Sequence, residues 1–326
     1  MAPKTLLQWL QFRTLVDCDT MDIEVPQALG PFVDCTSNQV SKAAIAYFEL
    51  EKPKNQKLIQ ESVALSKKLA STYPDVLPKV LAGEIAMVML QHGISKHITG
   101  FVHIQTNPYH SYNTLSTIAD AHRIVQLFKI IDQNFDTKRI CIKIPSTWEG
   151  LQACKILEAS GVSTLATTLF TIEQAALAGE VGCRYIAPYV NELKVHFEPG
   201  FVDNNKAQLL CLQAQRYYEA HNITTQVLPA SLTSTQEIME LAGVHHITIA
   251  PWLLQELAET PVEGNQVASL FDGSPLEVRK LLNFGSDEKG YRLAFTLSAA
   301  GEGERKLGQA INIFCGMQTK LEALMA

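Results

Sequence analysis

The chain has 326 residues, 47% of them hydrophobic, which is enough to bury a substantial core within one large domain. Its 27 Lys and Arg against 33 Asp and Glu give a net charge of −6 and a sequence pI of about 5.9. That balance excludes a general nucleic-acid binder and is ordinary for a metabolic enzyme. The seven cysteines (Cys18, Cys35, Cys141, Cys154, Cys183, Cys211 and Cys315) stand singly, mostly in apolar runs, and read as small buried hydrophobes in a reducing compartment. No apolar stretch is long enough to span a bilayer, and the segment from Met1 to Leu10 reads as a helix and not as a leader. The expected location is the cytoplasm.

Strand-like apolar runs alternate with helical patterns along the whole length. Leu15 to Asp19 is the first strand and Phe32 to Thr36 the second. Helical segments follow from about Ser41 to Ser71 and from Val76 to Gln91. Gly100 to Thr106 is the third strand, with a helix after it over Ser116 to Asn134. Ile140 to Ile144 is the fourth strand, then a helix from Trp148 to Ala159 with Gly161 as its stop. Ser163 to Leu169 and Arg184 to Val190 are the fifth and sixth, flanking a helix over Glu173 to Val181. A helix from about Asn205 to His221 leads to the seventh strand, Gln226 to Ser231. His246 to Ala250 is the eighth, before helices over Pro251 to Thr260 and from Gly303 to the end. Phe197 to Asn205 and Asp272 to Lys289 read as surface excursions. Eight β/α units predict a (β/α)8 barrel as a single domain over residues 1–326. A doubly wound sheet gives the same alternation, but eight strands and the lack of Gly-x-Gly-x-x-Gly after the first favour the barrel.

The fourth strand is broken by Lys143. An ammonium among Ile side chains is costly unless it is paired or loses its proton. A neutral lysine is a nucleophile toward carbonyls. On composition alone the commoner reading is a strand-end lysine that reaches water. In a barrel the site lies at the C-terminal strand ends, so polar residues there are the candidates: Asp19, Thr36 and Asn38, Gln105 and Asn107, Thr167 and Thr168, and Asn191 and Ser231. Singly, each reads equally as a cap, a turn residue or a strand former.

Taken together these segments resemble the transaldolase family, class I enzymes that work through a lysine Schiff base. Lys143-Ile-Pro-Ser-Thr-Trp-Glu-Gly150 is similar to the family's lysine segment, and Asp17-Cys-Asp-Thr-Met-Asp22 to its Ala-Asp-Thr-Gly-Asp. Thr36-Ser-Asn38-Gln resembles Thr-Thr-Asn-Pro, and His246-Ile-Thr-Ile-Ala-Pro-Trp-Leu-Leu resembles Leu-Thr-Ile-Ala-Pro-x-Leu-Leu. The resemblance implies Lys143 as the Schiff-base amine, Asp19 as acid/base, and Asn38 as the contact to a substrate hydroxyl, with Thr36 in the same segment.

Departures from the family pattern matter as much. Gln105 stands where transaldolases place an acidic residue, and Tyr189 where they tend to carry Phe. Both look like the fructose-6-phosphate aldolase branch, which makes or breaks one aldol bond. In that branch Gln105, Thr167 and Tyr189 would hold the water that moves protons. The phosphate-binding arginine and the basic residue that accompanies it align with Glu192 and Thr233, and a serine that contacts substrate aligns with Ala187. Glu in place of Arg repels phosphate, so a sugar phosphate would need Lys194, His196 or Arg184 to move in. The expected substrate is a non-phosphorylated carbonyl compound, with Asn107, Asn191, Glu192 and Ser231 at the binding rim.

The resulting expectation is a class I aldolase that needs no cofactor and no metal, since the protonated Schiff base is the electron sink. His245-His246 reads as a strand entry, and no His/Asp/Glu spacing points to a metal. The partners are a small carbonyl substrate, no nucleic acid and no membrane, with a homodimer compatible with the helical tail. Three alternatives stay open: conventional three-carbon transfer between sugar phosphates, another iminium condensation, and a catalytically silent scaffold.

Overall fold

The computed structural model of the chain describes residues 3–36, 45–263, 268–273 and 276–326. Eight parallel strands follow one another in sequence order: β1 (Leu15–Asp19), β2 (Cys35–Thr36), β3 (Val102–Gln105), β4 (Ile140–Pro145), β5 (Ser163–Leu169), β6 (Tyr185–Pro188), β7 (Gln226–Val227) and β8 (His246–Ile249). β8 returns to pair with β1, from Leu15 opposite His246 to Cys18 opposite Ile249. The β7–β8 seam is bridged by the main-chain bond from Thr248 N to the Pro229 carbonyl at 3.2 Å. This is the (β/α)8 barrel. A doubly wound sheet reverses its strand order at a switch point, and this one does not.

Local chemistry explains why the segments start and stop where they do. Thr147 caps the helix Trp148–Ala159 by accepting from Gly150 N at 2.9 Å, and Gly161 ends it with φ +83°. A Cβ on Gly150 would lie 2.1 Å from the Pro145 carbonyl. The first turn of this helix is therefore jammed against the end of β4, and only glycine fits there. The helix Ile172–Glu180 opens with a reciprocal capping box between Thr171 and Gln174.

Several expectations change in detail. β2 and β7 are two residues long, although Phe32 bridges Ile98 and Ala230 bridges Tyr189 beside them. The long helix expected over 41–71 is two helices, Ile45–Glu51 and Gln56–Leu69, split at Pro53, which cannot donate to a continuing ladder. The polar stretch after Asp272 runs into a further helix, Glu288–Leu297, anchored by the buried Tyr291 against Trp148 at 5.4 Å. The loop 197–205 is no mere excursion, because Asp203 is buried and holds both Glu192 N and Lys306. All seven cysteines are free thiols, six of them buried. Among the described residues, no helix is long and apolar enough to cross a membrane.

The C-terminal helix, Glu302–Leu324, packs against the C-terminal side of the barrel. Its Ala310, Phe314 and Met317 join Ala187, Tyr189, Leu193 and Ala230 in one apolar cluster. It is pinned at its start by Lys306 to Asp203 at 2.8 Å and by Arg305 to Glu192 at 2.8 Å.

Candidate active site

Residues two apart on a strand share a face, so the last inward positions of neighbouring strands form a ring. Asp19 and Thr36 are opposite one another across β1 and β2, and Gln105 and Lys143 across β3 and β4. The Thr36 hydroxyl donates to Asp19 Oδ1 at 2.7 Å and lies 2.6 Å from the Thr248 hydroxyl. Thr36 and Thr248 stand on the two strands that flank β1, so they can meet only over the concave interior. The lumen side of these strands is thereby fixed.

Lys143 is 1% exposed. Among the described residues its amine has no hydrogen-bond or ion-pair partner. It lies 5.7 Å from the centroid of the Tyr189 ring, which is itself set edge-on against Phe170. Burial pushes the Asp19 carboxyl above its usual range, while the Lys143 charge, the Thr36 hydroxyl and His103 pull the other way. A buried, unpaired amine beside such a carboxyl is equipped for carbonyl addition with proton transfer.

Two hydroxyls and an amide surround that pair. Thr167 donates to the Tyr189 phenol oxygen at 3.1 Å. Thr167 owes its position to an irregularity in β5, where the register shifts between Ala166 and Leu169 and Thr168 takes φ +54°. A β-branched residue there stores strain of about 1–3 kcal/mol. Bonds from Ser146 N and Oγ to the Thr167 carbonyl, at 2.8 and 2.7 Å, hold it. Gln105 is 2% exposed, and among the described residues neither atom of its amide has a partner. Buried amides are rarely left so, and this one offers a donor and an acceptor to a substrate hydroxyl or a water.

Ser231 stands at the rim with φ +61°, its hydroxyl 2.9 Å from His196 Nε2. Together with Asp19, Thr248 and Trp252 these two line a cavity of about 20 Å³. The other expected rim residues are spent on structure. Asn191 uses its amide on the Ser231 carbonyl (2.9 Å) and on Glu237 (3.1 Å). Asn107 caps a turn by accepting from Tyr109 N and lines an outer pocket of about 640 Å³ with Lys79, His110 and Asp120. Glu192 is not a bare repelling charge, since it accepts from Arg305 and from Gln309 Nε2 at 3.0 Å. Arg184 precedes β6 at the opposite end of the barrel, so it cannot reach a substrate at the mouth. Lys194 pairs with Glu198 at 3.0 Å. Asn38 lies outside the described residues.

Thr248 and Trp252 were missed as site components. Thr248 had a readable signal, a polar residue on the inward phase of an Ile-Thr-Ile strand. The His196–Ser231 pair had none, because its members sit on different loops 35 positions apart.

Comparisons with known proteins agree with this geometry. Residues 16–298 match the family model described as Transaldolase/Fructose-6-phosphate aldolase. A transaldolase of Alteromonas mediterranea is 31% identical over 96% of this chain and 95% of its own length. Those of Rhizobium rhizogenes and Aeromonas salmonicida are each 30% identical, over 98% of this chain and 96% and 98% of their own lengths. With its amine at the end of β4 and a carboxyl facing it from β1, the chain belongs to the transaldolase/fructose-6-phosphate aldolase family of Schiff-base enzymes.

Proposed function

We propose that this enzyme is a class I aldolase acting on a non-phosphorylated ketone or aldehyde, as a specialised biosynthetic route would require. The observation that carries the reading is the grouping of an unpaired buried amine, a raised carboxyl and an unpartnered amide around one point of the lumen. Lys143 Nζ adds to the carbonyl carbon. Asp19 gives a proton to the oxygen, which leaves as water, and the iminium forms. Asp19 then takes the proton of the β-hydroxyl, the C–C bond breaks into the iminium, and an enamine remains. A water held by Gln105, Thr167 and Tyr189 returns a proton to the enamine carbon. Hydrolysis frees the donor and restores the amine.

The choice of a non-phosphorylated substrate rests on Glu192, whose carboxylate at the rim is already satisfied by Arg305 and Gln309. A phosphate dianion would have to displace that pairing. The second reading, three-carbon transfer between sugar phosphates, is favoured by the relatives named transaldolase over nearly the full length. The silent-scaffold reading has no observation in its favour.

Borohydride reduction in the presence of dihydroxyacetone, followed by peptide mass spectrometry, tests the mechanism. The expected adduct is on Lys143, and its absence with every carbonyl donor tried sinks the proposal. Parallel assays with fructose 6-phosphate separate release of free dihydroxyacetone from transfer to an aldehyde acceptor. Turnover confined to phosphorylated pairs would support the second reading.

A further inference from the structure

A second polar layer lies beneath the reacting one. Two residues below Asp19, Gln105 and Thr248 on their own strands stand Asp17, His103 and His246, and two below Thr36, just before β2, stands Asp34. All four are buried. His246 Nδ1 lies 2.9 Å from Asp17 Oδ2, and His103 Nε2 lies 2.9 Å from Asp34 Oδ2. The remaining oxygens are also filled: Asp34 N donates to Asp17 Oδ1 at 2.8 Å, and Phe101 N donates to Asp34 Oδ1 at 2.7 Å. The Tyr185 ring packs against both imidazoles, with centroids 5.5 and 5.1 Å away.

Barrel layers are usually built from branched apolar side chains. Two carboxyls and two imidazoles in their place are costly unless each is bonded. Ligand atoms of Asp17, Asp34 and His246 lie within 4.8 Å of one another, so the set could suit a divalent cation. Yet all four carboxylate oxygens already accept from N–H groups, and the ring nitrogens turned toward them are the donors. The arrangement is built to hold protons.

We propose that His103, clamped by Asp34 and braced by the Asp17–His246 pair, is a positioning residue for proton transfer, its charge setting how readily Asp19 releases and regains a proton. The inference rests on the assignment of Asp19 as proton carrier made above. The directions of titration agree with it. Burial raises Asp17 and outweighs its bond to His246. Burial works against the charged form of His246 too, but its bond to Asp17 and the charges of Asp17 and Asp34 outweigh it, so His246 sits above its usual value. Burial opposes the Asp34 carboxylate, but His103 holds it below the usual range. Facing Asp19 itself are Lys143 from β4, Thr36 from β2 and His103 from β3. Cys18 and Cys141 lie near the floor, and Arg184, 5.5 Å from the Tyr185 ring, opposes the charging of His246 from below.

The test is a 13C NMR titration of the Asp19 carboxyl in the wild type and in His103→Gln, whose amide can keep the bond to Asp34 without carrying charge. The expected result is a rise in the Asp19 midpoint on the order of half to one pH unit. His103→Phe, which removes the ring nitrogens altogether, should raise the Asp19 midpoint by a similar amount, which decides the matter even if the first variant does not fold. An unmoved Asp19 midpoint in either folded variant would overturn the proposal. So would a stoichiometric divalent metal in the purified protein. The titration needs no substrate. A wild type that never traps a carbonyl compound at Lys143 would therefore refute the aldolase reading while leaving this coupling measurable.

Discussion

The Thr167 hydroxyl donates to the phenol oxygen of Tyr189 at 3.1 Å, and the same Tyr189 ring lies 5.7 Å from the Lys143 amine. One side chain thus links the covalent step to a polar pair able to hold a water. In Tyr189→Phe the ring stays and the water loses one holder. Return of a proton to the enamine should slow by about 10²-fold or more, with the adduct on Lys143 still formed. Mass spectrometry after borohydride and the rate of donor release read the two effects separately.

Lys143→Met should abolish borohydride trapping outright. The amine is buried without a partner among the described residues, so an apolar side chain of similar length removes a desolvation cost and leaves no orphaned acid-base pair behind. Thermal stability should hold or rise. A fall in Tm by several degrees would mean that the amine has a structural role.

The pH dependence follows from Asp19. Its folded-state carboxyl sits above the ordinary 3.8, chiefly through burial. A reaction that needs the carboxylate as base is lost as pH falls through that raised value. Thr36→Val removes a bond that favours the carboxylate, so the acid limb of the C–C cleavage rate should move to higher pH. For stability the sign is the reverse. The contribution of a raised carboxyl is full below pH 3.8 and lost as pH rises through the folded value. Asp19→Asn should therefore melt higher than the wild type at pH 7, while trapping falls by about 10²- to 10⁴-fold.

Glu192 tests the substrate class. Glu192→Gln removes a negative charge from the rim and keeps an amide that can bond Gln309. If this charge governs choice, the preference for a non-phosphorylated acceptor over its phosphate ester should drop by about tenfold, mainly through KM for the phosphorylated compound. An unchanged ratio would place the discrimination elsewhere.

Outside the barrel, Arg123 holds Glu84 with two bonds at 2.6 Å and Asp120 with a third. All three are buried, and burial pushes Glu84 up to about 7 against the pull of Arg123. Arg123→Met leaves two carboxyls uncompensated and should cost about 3–5 kcal/mol in chemical denaturation at pH 8. The loss should be smaller at pH 5, where Glu84 is protonated.

How much of this was written in the chain differs from residue to residue. β1, β4 and β5 were legible because short apolar runs end in strong punctuation such as Pro145, and the helix Trp148–Ala159 because Thr147 and Gly161 mark both its ends. The helix Glu288–Leu297 was not, since Tyr291 and Phe295 become an apolar face only once Trp148 and Phe284 are brought to them. Lys143, Asp19, Gln105 and Thr167 were readable as polar breaks at strand ends, and Tyr189 only through the family resemblance. Their mutual geometry was not.

The sequence by itself determined the barrel alternation, the amine on the fourth strand and the carboxyl on the first, because strand period, caps and breakers act over a few neighbouring residues. Only the tertiary structure decided what those groups face. Closing β8 onto β1 sets His246 against Asp17 across 229 positions, and the returning C-terminal helix sets Gln309 against Glu192 across 117. Pairings made by ring closure join residues that no local pattern relates.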